Sequence, residues 1–245
     1  MTPERNDGED RDDERDGDGT TPPTVEVVSV NVGRPQLLAE EQGQRIYSGI
    51  AKQPVAPGTV LWLSLGNLAG DAQADLSVHG GPDKALYTYP SEHLAPWAVE
   101  LDTTLGAAPF GENLSTAGAL EADVTIGDVW RWGDAWIQIC QPRWPCFKLA
   151  LHRQRRDIQK RMRGNGRTGW YYRVLEPGEV VVGAAIEIVS RDAAGLTIAD
   201  AHTAMGDRHL ADRALVESLA DHPHLAAEWR DPLRARLGRS GLSAP

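Results

Sequence analysis

Cysteine is scarce in this chain, and so are the features that would place it in a membrane or outside the cell. Only two cysteines occur in 245 residues, Cys140 and Cys146. Two thiols cannot build a disulfide framework or a Cys-rich zinc or iron–sulfur site. Their sparing use fits a reducing cytoplasm, the location expected here. No apolar run approaches the roughly 18–20 residues of a spanning helix. Residues 1–20 hold no apolar stretch of the kind that opens a secretory signal. Four common catalytic patterns are missing as well. There is no G-x-x-x-x-G-K-[ST], no G-x-G-x-x-G after a strand, no serine in a G-x-S-x-G elbow and no H-E-x-x-H among the seven histidines. A P-loop, a dinucleotide fold, an α/β-hydrolase and a zincin are therefore not indicated.

What the chain does have is unevenly spread charge. The net charge is −10, yet residues 1–20 alone hold nine acids against three arginines. That segment carries almost no apolar residues to offset its ordering entropy, so residues 1–24 are expected to form a disordered acidic tail. The rest is only mildly acidic.

From residue 25 onward, short β-branched runs alternate with turn residues. Strands are expected over 25–32, 59–65, 123–126, 129–132, 136–140, 179–182 and 185–189, and helices over 91–100 and 147–162. Many short strands without repeated βαβ units point to a mainly β fold, a barrel or sandwich with a few helices, over 25–190. After Gly195 the pattern turns helical. Thr197 and Asp200 have capping-box spacing and Gly206 can end the first helix. Asp207 can cap a second helix, and Pro223 suits the first turn of a third, which Pro232 would divide. A small three-helix domain over 195–238 and a frayed end over 239–245 are expected.

Three clusters carry chemistry. The first runs from Gly66 through Gly70-Asp71 and Asp75 to His79-Gly80-Gly81-Pro82-Asp83-Lys84 and Tyr87, a backbone free to approach a ligand with polar groups beside it. The second is Phe110-Gly-Glu-Asn-Leu114. The third is Gln141-Pro142-Arg143-Trp144-Pro145-Cys146-Phe147-Lys148, continued by Gly166-Arg167 and Gly169-Trp170-Tyr171. Trp144 and Trp170 are candidates for the mouth of a pocket, although tryptophan more often packs a core. The segment 147–163 is rich in Lys and Arg. Without a known nucleic-acid module and on a mildly acidic body, it reads as a solvated basic face, and no nucleic-acid partner is expected.

Cys146 stands between Pro145 and a helix start, with Arg143 and Lys148 close by. A thiol so placed has a lowered pKa and acts as a thiolate, a soft donor suited to a polarizable metal or to sulfur transfer. The residues alone leave an inert buried thiol equally open. Cys140, inside a strand, reads as packed core.

Taken together and in order, the clusters resemble the MOSC domain, the C-terminal domain of molybdenum cofactor sulfurases, in its stand-alone YiiM-like form. The residues are Ser29-Val-Asn-Val-Gly33, Gly70-Asp71-Ala-Gln-Ala-Asp75, His79 to Lys84, Tyr89-Pro90, Phe110 to Leu114, Gln141-Pro142-Arg143 with Pro145-Cys146, and Gly166-Arg167 with Gly169-Trp170-Tyr171. The resemblance spans about 25–190, and the helical tail is similar to the appendage of YiiM-like proteins.

It implies a distorted β-barrel and a molybdenum cofactor ligated by Cys146. His79 would be a second catalytic residue, and Gly80, Gly81, Lys84, Asn113, Arg143, Lys148 and Arg167 would contact the anionic pterin. Asp71 and Asp75 are weaker candidates, since Gly-Asp is ordinary turn chemistry. The implied activity is reduction of N-hydroxylated small molecules such as hydroxylaminopurines. A separate flavoprotein or iron–sulfur protein would supply electrons, because the chain has no flavin or iron–sulfur motif. The alternative is sulfur transfer or cofactor handling through a persulfide on Cys146. Pyridoxal phosphate would then sit on a desulfurase partner, not on this chain.

Overall fold

A computed structural model describes residues 23–241. Most of the expected acidic tail, and residues 242–245 of the expected frayed end, lie outside the described residues.

Seven strands close on themselves. β1 (Thr24–Val32) begins one residue after the described chain opens, inside the span expected for the tail. It pairs with β7 (Leu114–Ala117) on one side and with β12 (Ile186–Ser190) on the other. β12 continues through β8 (Val129–Trp132), β9 (Ala135–Pro142), β10 (Trp170–Glu176) and β6 (Leu86–Pro90) back to β7. All these pairs are antiparallel except β6–β7. A parallel pair needs a crossover, and α2 (Leu94–Leu101) lies within it. Period-2 alternation turns Val25, Val27, Trp130, Trp132, Ile137, Ile139, Tyr172, Ile186 and Ile188 into the buried interior.

The remaining strands stand outside the ring. β2 (Gln36–Glu41) and β3 (Gln44–Ser48) form a hairpin. Its turn residues Gln42 and Gly43 both have positive φ, as a type I′ turn requires. The short β4 (Gln53–Pro54) pairs with the end of β1, and β5 (Val60–Leu63) pairs with β11 (Gly178–Val181).

Several expectations change. Residues 123–126 form no strand. Their backbone is held instead by the Asp128 carboxylate, by Leu196 O and by a bridge from Thr125 to Thr197. The helix expected over 147–162 is two, α3 (Phe147–Arg153) and α4 (Ile158–Asn165), because Gln154 turns left-handed at φ 51° and caps the first. Residues 239–241 are helical rather than frayed.

The C-terminal helices α5 (Ile198–Gly206), α6 (Arg213–Asp221) and α7 (Ala227–Gly241) lie on the barrel. The Thr197/Asp200 capping box forms as expected. Asp212 rather than Asp207 caps α6. Asp207 accepts the amides of His209 and Asp212 in the preceding turn. Pro232 sits inside an unbroken α7. The Arg236 guanidinium donates to the carbonyls of Ala204, Met205 and Asp207, which would otherwise be orphaned at the end of α5. Ile198, Ala201, Val216, Leu219, Trp229 and Leu233 belong to the same buried cluster as the barrel interior, so the helices share one core with it. A second cluster, centred on Tyr89, Trp97, Phe110, Leu149, Ile158 and Met162, fixes α2, α3 and α4.

Candidate functional site

The glycine-rich first cluster folds into a short helix, α1 (Leu76–His79), and a 3-10 turn at Pro82–Lys84. Asp71 anchors its start. One carboxylate oxygen accepts the Gly33 amide at 2.9 Å and the Lys52 ammonium, and the other accepts Asn113 Nδ2 at 3.0 Å. Lys52 and Asp71 are both buried. Burial lowers the Lys52 pKa and outweighs the attraction of Asp71. Asn113 holds the neighbouring strands: its Oδ1 accepts the Tyr87 amide and its Nδ2 also reaches Asn31 O. Next to it Glu112 is fully buried and accepts from the Phe110 amide and the Ser115 hydroxyl. Burial, only partly opposed by those donors and Arg143, pushes its carboxyl up to about 7.

Arg143 directly follows β9 and is buried, with its guanidinium 4.8 Å from the Tyr87 ring centroid and 3.2 Å from the Tyr87 hydroxyl. Its amide donates to Gly169 O. Gly169 has φ +63°, and a Cβ there would meet Thr88 O at 2.2 Å, so only glycine allows this approach. Tyr171 stacks 5.1 Å from Tyr87, and burial pushes its hydroxyl up to about 12.

Cys146 is the extended residue immediately before α3, at φ −99°. Burial raises its pKa, but a hydrogen bond from His79, the charges of Arg143 and His79 and the Lys148 amide together lower it to about 7. Near neutrality the thiol is half ionised. Cys140 is its opposite: fully buried, with its thiol facing Asp83 O and Tyr171 O, and pushed well above the ordinary thiol range by burial.

Two connected chambers meet at Cys146. The inner one, a narrow cavity of about 90 Å³, is walled by Ser48, Gly49, Lys52, Asp71, Tyr87, Asn113, Arg143 and Lys148. The outer one, about 500 Å³, lies between the barrel and the C-terminal helices, against Trp144, Pro145, Met205, Arg208, Glu228, Trp229, Pro232 and Arg236. His79, Lys84, Cys146 and Tyr171 border both. Lys84 ties the two units together through Glu228 on α7, at 2.5 Å.

Of the residues singled out in the sequence, Cys146, His79, Lys84, Asn113, Arg143, Lys148 and Asp71 line the cleft. Trp144 walls the outer chamber. Gly80 and Gly81 shape the turn behind His79 without lining it. The Asp75 carbonyl accepts the His79 amide. Arg167 lies elsewhere: its guanidinium pairs with Glu100 at 2.6 Å and sits over Trp97. Trp170 is buried against Trp130. The sequence reading missed Lys52, Glu228 and Trp229, and gave Tyr87 and Tyr171 no role although both end its clusters. Among the described residues no group of three or more His, Cys, Asp and Glu could hold a metal ion, and no helix is long and apolar enough to cross a membrane.

Known proteins are similar to this chain in sequence and in fold. A family model described as the MOSC domain matches residues 75–187. Protein YiiM of Escherichia coli is 48% identical over 167 residues, covering 67% of this chain and 72% of that protein. The crystal structure of YiiM from Geobacillus stearothermophilus superposes with a TM-score of 0.72 at 33% identity, covering 87% of this chain and 99% of that one. A protein of Gibberella moniliformis named reductase is 33% identical over 175 residues, which cover 70% of this chain and 30% of that longer protein. With a closed seven-stranded barrel and Cys146 at the mouth of its cleft, the chain belongs to the MOSC-domain family and, within it, to the YiiM-like group.

Proposed function

We propose that this protein binds a molybdenum cofactor through Cys146 and reduces N-hydroxylated small molecules with electrons from a separate donor protein. The observation that carries the reading is the Cys146 thiol itself, lowered to about 7 between His79 and Arg143 where the two chambers meet. The residues present fit such a group. They offer one soft thiolate donor, Cys146, which suits a metal that arrives with its own dithiolene. Arg143, Lys52 and Lys148 supply cationic walls for an anionic pterin.

When bound, the cofactor supplies two-electron redox chemistry at the metal. Everything else falls to the chain. Cys146 offers the ligand sulfur, its ionised form favoured by His79 and Arg143. Trp144 and Trp229, 5.6 Å apart and edge-to-face, offer the outer chamber an apolar wall that excludes water from a planar substrate. The Tyr171 hydroxyl stays protonated at the junction because burial raises it to about 12, so it is a fixed donor to an oxygen brought there. The likeness to a fungal protein named reductase supports the redox reading. Substrate class and donor are proposals on the same footing.

Molybdenum measured by mass spectrometry in protein from a cofactor-producing host, wild type beside Cys146→Ser, tests this directly. Near-stoichiometric metal that disappears in the variant is expected. Absence of metal from both, with a persulfide mass shift on Cys146 after incubation with a desulfurase, would replace the reading with sulfur transfer.

A further inference from the structure

Residues 143–167 hold nine lysines and arginines against one acid, Asp157, in a chain whose net charge is −10. In the sequence they read as solvated charge. The fold gives them a position that matters if the reductase reading above is right, on which this inference rests. Cleaving an N–O bond to an amine and water takes two electrons and two protons. The protons come from solvent through the cleft, and the electrons must be delivered close to Cys146.

α4 is fastened to the segment that carries this cysteine. Gln159 Nε2 donates to Pro145 O at 3.2 Å, and the Arg163 guanidinium lies 5.7 Å from the Trp144 ring. The cations of α3 and α4 therefore continue directly into the outer rim of the site. Two large aromatics stand exposed at that junction, Trp144 at 41% and Phe147 at 52%. The local acids are already consumed, Asp157 by Arg155 and Arg161 and Glu100 by Arg167. Arg156 and Lys160 are exposed and make no ion pair among the described residues. Exposed aromatics rimmed by cations have the composition of a protein interface rather than of an average surface. A positive face on a negatively charged molecule also orients an oppositely charged partner before contact.

We propose that the cationic face of α3 and α4, with Phe147 and Trp144 at its edge, is the docking surface for an acidic electron-carrier protein serving the Cys146 site. The partner is a small, acidic flavin or iron–sulfur carrier, which is oxidised by two electrons for each N–O bond broken. Exposed Arg156 and Lys160 steer the encounter, and the aromatics make the close contact.

The test uses the full chain loaded with cofactor, an arylhydroxylamine substrate and two reductants, reduced flavodoxin and reduced methyl viologen. In Arg156→Glu/Lys160→Glu the KM for flavodoxin should rise about tenfold or more, with viologen-driven turnover unchanged. The wild-type KM for flavodoxin should climb between about 50 and about 300 mM salt, and the variant should lose most of that dependence. A charge-matched reversal on the C-terminal helices, Arg213→Glu/Arg234→Glu, should leave the flavodoxin KM alone. Wild type that turns over with viologen but shows the same flavodoxin KM as the α4 variant, or no flavodoxin turnover at all, overturns the docking surface and leaves the reductase reading standing. Turnover with neither reductant removes both. A variant that loses oligonucleotide binding while its flavodoxin KM holds assigns the face to nucleic acid and also overturns the proposal.

Discussion

Replacing His79 with alanine should slow the chemistry of Cys146 in a way that a pH profile resolves. Two groups that lower this thiol remain in the variant, the Arg143 charge and the Lys148 amide, while the His79 hydrogen bond and charge are lost. An unperturbed thiol titrates near 8.5 and one pKa unit corresponds to about 1.4 kcal/mol. With the wild-type thiol at about 7, half is thiolate at pH 7. A rise of about one unit, roughly what the loss of one charge-assisted hydrogen bond in a half-buried site brings, leaves about a tenth ionised. Alkylation by iodoacetamide, followed by peptide mass mapping from pH 5 to 10 on cofactor-free protein, should run about fivefold slower at pH 7 in His79→Ala. The deficit should vanish at high pH, where both thiols are fully ionised and the variant's more basic thiolate is at least as nucleophilic. His79→Gln, which keeps a donor without the charge, should fall between them. Cys140 serves as an internal blank, since its buried thiol should stay unmodified throughout. A wild-type midpoint near 8.5, or superimposable wild-type and His79→Ala profiles, would refute the reasoning.

Three other outcomes can be checked on stability. Asp71→Asn strands the buried Lys52 charge and should cost about 3–5 kcal/mol in urea unfolding, and a loss below about 1 kcal/mol would mean that Lys52 simply deprotonates without penalty. The Lys84–Glu228 pair joins the helices to the barrel but is half-exposed on the Glu228 side, so a double-mutant cycle with Lys84→Gln and Glu228→Gln should yield under about 1 kcal/mol. Glu112 titrates at about 7 in the folded state, above its unfolded range near 4.3. Its contribution is complete below the unfolded value and is lost as pH rises through 7. The Tm of Glu112→Gln should therefore gain on wild type between pH 5.5 and pH 8, and parallel Tm curves would contradict this.

The legible parts of the sequence were those where one face is wet. β8 falls on the residues expected for it, because exposed Arg131 between buried Trp130 and Trp132 prints a clear alternation. β6 was invisible: all five of its residues are buried and it ends in proline, so neither alternation nor propensity marks it. With β6 unseen, the parallel β6–β7 pair that closes the ring could not be inferred. The division of α3 from α4 depends on one left-handed residue, Gln154, and not on glycine or proline. In the site, residues with local patterns, such as Cys146 after Pro145 and His79 before two glycines, could be picked out one by one. Lys52 stands in no motif, and it matters only because folding brings it to Asp71. Glu228 and Trp229 looked like ordinary members of an amphipathic helix, and their role depends on where α7 docks. Arg167 misled for the mirror-image reason: its motif lies near the cleft in sequence, while its charge is spent on Glu100.

β1 carries a further consequence. It lies wholly outside residues 75–187, the stretch that bears the family pattern, yet it is hydrogen-bonded along both sides, to β7 and to β12. A chain that began just after β1 would keep the whole stretch that bears the family pattern and lose the strand that makes the sheet endless. β7 and β12 would then each present a bare row of amides and carbonyls, the template on which sheets of separate molecules join. The first nine residues of the ring thus act less as ballast for the core than as insulation, sealing the two borders along which copies of this protein would otherwise polymerise.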